Sequence, residues 1–286
     1  MKKIMLFGLL CSAVFTLSSC AYGLYNFFGR DDTVRTRAES LVQETAPSTV
    51  TAADTVYTVA VITDVHFGAD KSRSVDDAFL SWLDGLSKKT PSELPKFVLC
   101  LGDVAEHGYE SELNDYKAFC DKIQSAYGIT VYSVLGNHDL YNNGWKYWKK
   151  IVYPKTSFYR FKTNNFSWYF IDTGNGTLGT HQYSVLVDAL ENDSSPKVVS
   201  MHYPVYAQGH FYFCLQDSTE RNLLISYFAN NNVKLLLDGH THQYNYTDFG
   251  SFVEYNVPGY LEKGKWALVK VNETAGTVTT PEPIPE

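Results

Sequence analysis

Five short apolar runs in this chain are each followed by His, Asp or Asn, side chains of the types that can ligate metal ions, and that repeated junction constrains the fold more than any other feature. The runs lie at 57–62, 97–101, 130–135, 197–201 and 233–237. Thr63-Asp64-Val65-His66 follows the first, Gly102-Asp103 the second and Gly136-Asn137-His138-Asp139 the third. His202 follows the fourth, and Asp238-Gly239-His240-Thr241-His242 the fifth. Runs that are apolar on nearly every position read as strands covered on both faces. In open α/β sheets the binding crevice lies beyond the carboxyl ends of the strands. The five junctions therefore converge on one place although they are scattered along the chain.

Helical segments at 75–86, 110–127, 181–190 and 218–230 separate the runs, the last with Ser218 as its expected N-cap. Alternating strand and helix signals predict an α/β architecture. Two aromatic runs, 158–161 and 166–171, flank Thr163-Asn164-Asn165 and predict a hairpin. Asp64 and His66, like His240 and His242, are two residues apart, the spacing that places both side chains on one side of an extended chain. Gly102, Gly136 and Gly239 stand where the backbone must turn sharply or approach a ligand closely.

Each fragment has an ordinary reading on its own, as a turn, a polar loop or a hydrogen-bonded histidine. Their conjunction at five strand ends favours a joint metal site. In order, Asp64-x-His66, Gly102-Asp103, Gly136-Asn137-His138-Asp139, His202 and Gly239-His240-x-His242 resemble the signature of the calcineurin-like metallophosphoesterases, over about residues 56–245. The resemblance implies a four-layer αββα sandwich of two mixed β-sheets flanked by helices. It implies that Asp64, His66 and His242 hold one divalent ion, that Asn137, His202 and His240 hold a second, and that Asp103 bridges them. His138 resembles the general acid, with Asp139 as the residue that orients it. The implied reaction is hydrolysis of a small phosphoester, by a phosphatase or a phosphodiesterase.

An anionic bridge offsets the repulsion of two cations about 4 Å apart, which is the part Asp103 would play. Ligands drawn from His, Asp and Asn, without Cys, suit Mn, Fe, Zn, Co or Ni. Purple acid phosphatases carry a Tyr three residues after the bridging Asp; this chain has Glu106, so no tyrosinate ligand is expected. Cyclic-nucleotide phosphodiesterases of the family often place an Arg after the position of Asp139, where this chain has Leu140 and Tyr141. Two competing readings are a non-catalytic metal-containing binding module on the same fold and a single-metal peptide hydrolase. Seven ligand positions exceed what one ion uses and disfavour the second.

A formal charge of -7 gives no positive field for a nucleic-acid polymer. The aromatics between 141 and 170, among them Trp145, Tyr147, Trp148, Tyr153 and Trp168, are expected to pack as a core rather than stack on substrate. A similar caution applies to His107, His181 and His210; His210, which follows Tyr203-Pro204-Val205-Tyr206 after His202, is expected at the surface, with the substrate mouth as the alternative. At the N-terminus, Lys2 and Lys3 precede an apolar run too short to span a bilayer. The following Leu17-Ser18-Ser19-Cys20 resembles a bacterial lipobox. That layout implies a signal peptide over 1–19 and an exported lipoprotein of the cell envelope, anchored to the membrane through lipidated Cys20. Residues 20–55 then read as a tether, 56–272 as the metallophosphoesterase domain and 273–286 as a C-terminal tail. Cys100, Cys120 and Cys214 remain, an odd number that cannot all pair.

Overall fold

The strands form where the runs can bury both faces, and the burial pattern shows how. A computed structural model describes residues 30–279 and 281–285, so the expected signal peptide and Cys20 lie outside the described residues. In chain order the elements are α1 (Arg30–Arg37), β1 (Val42–Gln43), β2 (Val56–Ile62), α2 (Ser74–Lys89), β3 (Val98–Cys100), α3 (Glu110–Tyr127) and β4 (Val131–Ser133). Then come α4 (Trp145–Ile151), β5 (Tyr159–Lys162), β6 (Ser167–Phe170), α5 (Gly179–Glu191), β7 (Lys197–Ser200), α6 (Ser218–Asn230) and β8 (Val233–Asp238). The chain closes with β9 (Asn245–Asp248), β10 (Val253–Asn256), α7 (Tyr260–Lys263), β11 (Trp266–Asn272), β12 (Thr277–Val278) and β13 (Glu282–Ile284).

The strands make two mixed sheets. One has seven strands in the order β1-β5-β6-β7-β8-β10-β9, parallel from β6 to β10 except that β9 runs against β10. The other has six, in the order β12-β11-β2-β3-β4 with β13 also on β11; β2, β3 and β4 are parallel and β11 opposes β2. Side chains alternate between layers along each strand. Val59, Val61, Leu99 and Tyr132 point inward to meet Phe161, Trp168, Phe170, Leu235 and Leu237 from the other sheet. Ala60, Ile62, Val98 and Cys100 point outward against Phe79 and Leu83 of α2 and Leu113, Tyr116 and Ile123 of α3. On the far side, Tyr169, Val199 and Leu236 meet Val34 of α1, Leu186 and Leu190 of α5, and Leu224 and Phe228 of α6. The result is the expected four-layer αββα sandwich. Trp148 and Trp168 are fully buried within it and Trp145 and Tyr147 pack against it half-buried, as the core reading of the aromatics required, whereas Tyr153 is exposed and departs from it.

Both flanks differ from their expected tether and tail. Val34 and Ala38 are fully buried, and Arg37 forms a two-point ion pair with Asp172 at 2.9 and 3.0 Å. β1 pairs in parallel with β5, Val42 opposite Tyr159. At the other end β12 and β13 both pair with β11. The Glu273 carboxylate, buried, accepts from Tyr57 Oη at 2.6 Å and from the backbone N–H groups of Asn165 and Phe166 at 2.6 and 3.0 Å. The cap of α6 also shifts by one residue: Asp217, not Ser218, accepts from the N–H groups of Thr219 and Glu220. Cys100, Cys120 and Cys214 are free thiols. No described helix is long and apolar enough to cross a membrane.

Candidate metal centre

The donors sit just past the strand ends, and the backbone there is not extended. Asp64, His66, Asp103, His240 and His242 all have φ between 47° and 63°, the left-handed region. This corrects the expectation that strand alternation aims the two i, i+2 pairs, since β2 ends at Ile62 and β8 at Asp238. Non-glycine residues held at such φ cost about 1–3 kcal/mol each and cluster at functional sites. The surrounding loops leave little room: a Cβ at Gly136 would lie 2.2 Å from Asp103 Oδ1, and one at Gly102 would lie 2.7 Å from His202 Nδ1.

Asp64, His66 and His242 form one donor set, their ligand atoms all within 4.8 Å of one another. His242 Nε2 stands 3.3 Å from Asp64 Oδ1 and 3.4 Å from His66 Nε2. The outward nitrogens face carboxylates: His242 Nδ1 meets Glu262 Oε2 at 2.7 Å. His66 Nδ1 meets Glu106 Oε2 at 2.8 Å, at hydrogen-bond length though not in hydrogen-bond alignment. Asp64 Oδ2 is occupied by Thr63 Oγ1 and by the N–H of His240, at 2.9 and 3.2 Å.

Asp103, His202 and His240 form a second set. His202 Nε2 lies 3.2 Å from Asp103 Oδ2 and 3.1 Å from Asn137 Oδ1, which brings Asn137 into the group. The His202 Nδ1–H donates to the Leu101 carbonyl at 2.8 Å, leaving Nε2 for the centre. Its backbone N–H donates to Thr173 Oγ1 at 3.1 Å. Asp103 also groups with His66 and His138, so it stands between the two sets.

The electrostatics follow from burial and pairing. Burial raises a carboxyl pKa, but the adjacent His202 charge outweighs it and holds Asp103 well below the usual carboxylate range. Burial opposes the protonated form of His202 as well; Asp103 beside it overcomes that and lifts it to about 9. His242 is likewise lifted to about 9, burial being outweighed by Asp64. His240, half-buried and beside His202, is desolvated enough to fall to about 4.

His138 and Asp139 part company. The His138 Nδ1–H donates to the Glu106 carbonyl at 2.7 Å, and its backbone N–H donates to Asp103 Oδ1 at 2.8 Å. Asp139 is fully buried, and its two oxygens accept from the N–H groups of Ala105 and Gly136 at 2.9 and 2.8 Å. It fastens the loop after β3 to the loop after β4. The expectation that it orients His138 is corrected: the Glu106 carbonyl does so. Of the remaining histidines, His107 and His210 are exposed and His181 Nε2 meets the Glu39 carbonyl at 2.7 Å.

These residues fit a pair of divalent ions. Asp64 Oδ1 is buried, has no hydrogen-bond partner and faces two imidazole nitrogens. Buried polar atoms without partners are rare in native structures and call for an ion or water. The donor chemistry is also that of such a site: nitrogen and oxygen only, with two sets joined through one carboxylate. Sequence reasoning missed Glu262, Thr173 and the role of the Glu106 side chain. Glu106 lies three positions from Asp103 and was visible as a departure, whereas Glu262 is 20 positions from His242.

Residues 57–244 match the family model for calcineurin-like phosphoesterases. No protein with a curated description matches the sequence. Among solved structures, a dimetal phosphatase from Danio rerio aligns with a TM-score of 0.55 at 16% identity, over 81% of this chain and 99% of that one. A purple acid phosphatase from yellow lupin (Lupinus luteus) seeds aligns with a TM-score of 0.58 at 12% identity, over 80% of this chain and 53% of that one. GAP50, the anchor in the inner membrane complex of Plasmodium, aligns at 0.54 and 14% identity, over 80% and 88% of the two chains. At these identities the structures share the fold alone. The family model spans well over half of the sequence, and the two donor sets occupy its strand ends: this chain belongs to the calcineurin-like phosphoesterase family.

Proposed function

We propose that the protein is a metal-dependent hydrolase of small phosphoesters, exported and held at the membrane through Cys20. The observation that carries the reaction is the position of Asp103, between a set built on Asp64, His66 and His242 and a set built on Asn137, His202 and His240. These residues would hold two divalent ions, drawn from Mn, Fe, Zn, Co or Ni, which would supply Lewis acidity toward water and the phosphoryl oxygens. Asp103, whose burial is outweighed by its histidine neighbours, stays anionic and bridges the sets. His138 is fixed through Nδ1 by the Glu106 carbonyl, which leaves Nε2 to hand a proton to the leaving oxygen. Glu106 where a purple acid phosphatase has its Tyr supports a centre without tyrosinate. The export reading is supported by Lys2, Lys3, the apolar run after them and Leu17-Ser18-Ser19-Cys20.

Hydrolysis of an aryl phosphate monoester and of its diester, with Mn added, tests the reaction. Wild type turns over at least one of them, Asp103→Asn abolishes turnover, and His138→Ala lowers it by about 10²- to 10⁴-fold while both ions stay bound. A metal-loaded wild type that cleaves no member of a broad phosphoester panel would leave the binding-module reading in its place. Mass spectrometry of the mature N-terminus tests export: a lipid-modified Cys20 is expected, and an intact Met1 would refute it.

A further inference from the structure

Glu106 and Glu262 belong to neither donor set, yet each faces a histidine of the same one. Glu106 Oε2 stands 2.8 Å from His66 Nδ1, and Glu262 Oε2 stands 2.7 Å from His242 Nδ1. Their Nε2 atoms face each other at 3.4 Å, with the unpartnered Asp64 Oδ1 beside them. The two carboxylates come from unrelated elements, Glu106 from the loop after β3 and Glu262 from α7, where Lys263 pairs with its other oxygen at 2.9 Å. In the second set, His202 Nδ1–H is backed instead by the uncharged Leu101 carbonyl.

A carboxylate behind a ligating imidazole fixes the tautomer, holds the ring's orientation and raises the basicity of the ligating nitrogen. We infer that Glu106 and Glu262 are positioning residues for the Asp64, His66 and His242 set: Glu262 holds the His242 ring by a hydrogen bond at Nδ1, Glu106 sets its charge beside His66 Nδ1, and both rings are thereby turned with Nε2 toward the ion. Residue 106 thereby serves twice. Its side chain places His66, and its carbonyl places His138. A side-chain substitution touches only the first role.

Both side chains are partly open to solvent, 29% and 38% exposed, so replacing them leaves no cavity in the core. The inference rests on the two-ion reading of the centre, and its test reads metal binding rather than turnover. Full-length protein in detergent is stripped with a chelator and titrated with Co²⁺, following the visible absorption of the bound ion. Wild type takes up two Co²⁺. Glu106→Gln and Glu262→Gln each weaken one of the two by about 10- to 100-fold, shift that ion's absorption band, and leave the other affinity and the melting temperature of the stripped protein unchanged. Asp70→Asn is the control: Asp70 lines the same cleft as Glu106, Glu262, His66, His138 and His242, so it alters the local field without removing a partner of His66 or His242. Wild-type affinities in both Gln variants, or an equal loss in Asp70→Asn, would overturn the inference. A wild type that binds two ions, cleaves nothing and still shows the weakening refutes the reaction and supports the inference. One that binds fewer than two overturns both.

Discussion

Four of the five ligand loops carry their chemistry in runs of two to five residues, whereas the flanks carry theirs in single residues whose partners are distant. Asp64, Val65 and His66 are adjacent, and so are Gly136 to Asp139. Arg37 by contrast meets Asp172 across 135 positions, and Glu273 meets Tyr57 across 216. In the loops, residue type and the strand before it announce the role. In the flanks, residue type misleads: a charged stretch rich in Ser and Thr, or one with several prolines, is indistinguishable from a linker until the partner is in place. The difference teaches that composition reports what a segment can do alone, not what the fold makes of it.

The largest expected effect tests the loop side of this comparison. Asp64→Asn keeps the shape but removes the charge of the unpartnered Oδ1, so one ion is lost and turnover falls by on the order of 10³-fold or more, equivalent to about 4 kcal/mol of charge stabilisation. Elemental analysis and steady-state kinetics check it. Retention of two ions with normal turnover would show that the loop's local chemistry misleads as well.

The next effect tests the flank side. Arg37→Met leaves Asp172 as a buried, unpaired carboxylate, and removing one partner of a buried pair costs about 3–5 kcal/mol. Urea denaturation of the stripped protein measures it. The cost bears on the centre too, because Thr173, next to Asp172, accepts from the backbone N–H groups of His202 and Tyr203 at 3.1 and 3.0 Å. If stability is unchanged, residues 30–46 behave as a tether after all and the comparison collapses.

Glu273→Ala is smaller. It strands the buried N–H of Phe166, and takes one partner each from the Tyr57 hydroxyl and the N–H of the exposed Asn165, and a lost partner for a buried donor costs about 1–3 kcal/mol. The expected destabilisation is about 2 kcal/mol, measured in the same way, with turnover per folded molecule unchanged. A loss in turnover without loss in stability would show that the C-terminal strands serve the site directly.

Legibility divides along the same line. The α/β class, the hairpin, the four longer helices and the residues gathered at the centre were present in the sequence, because amphipathic period, strand composition and ligand type are local properties; the short α1, α4 and α7 were not. The conformation of the loops was not. Five donors turn into the left-handed region, and nothing in a two-residue spacing distinguishes that from an extended chain. Asp139 was misassigned for a related reason: it neighbours His138 in sequence, but its oxygens are taken by the N–H groups of Ala105 and Gly136. Glu262 escaped notice because an acid on a short helix near a chain end has no local mark of function.

The smallest effect concerns a case where even local chemistry was misread by one position. Asp217 and Ser218 are both good N-cap residues, so composition alone cannot choose between them. The backbone does: Asp217 is extended, at φ -84° and ψ 119°, and its carboxylate accepts from Thr219 and Glu220, while Ser218 is already the first helical residue. A carboxylate at that position also complements the positive end of the helix. Asp217→Ala therefore lowers the melting temperature and Ser218→Ala leaves it in place. The reverse ranking would move the helix start by a residue. Equal, negligible effects would mean that α6 is held by Leu224 and Phe228 in the core and not by its cap. That outcome would bring α6 closer to the flanks, whose positions are set by distant partners, than to the loops, whose neighbours announce them.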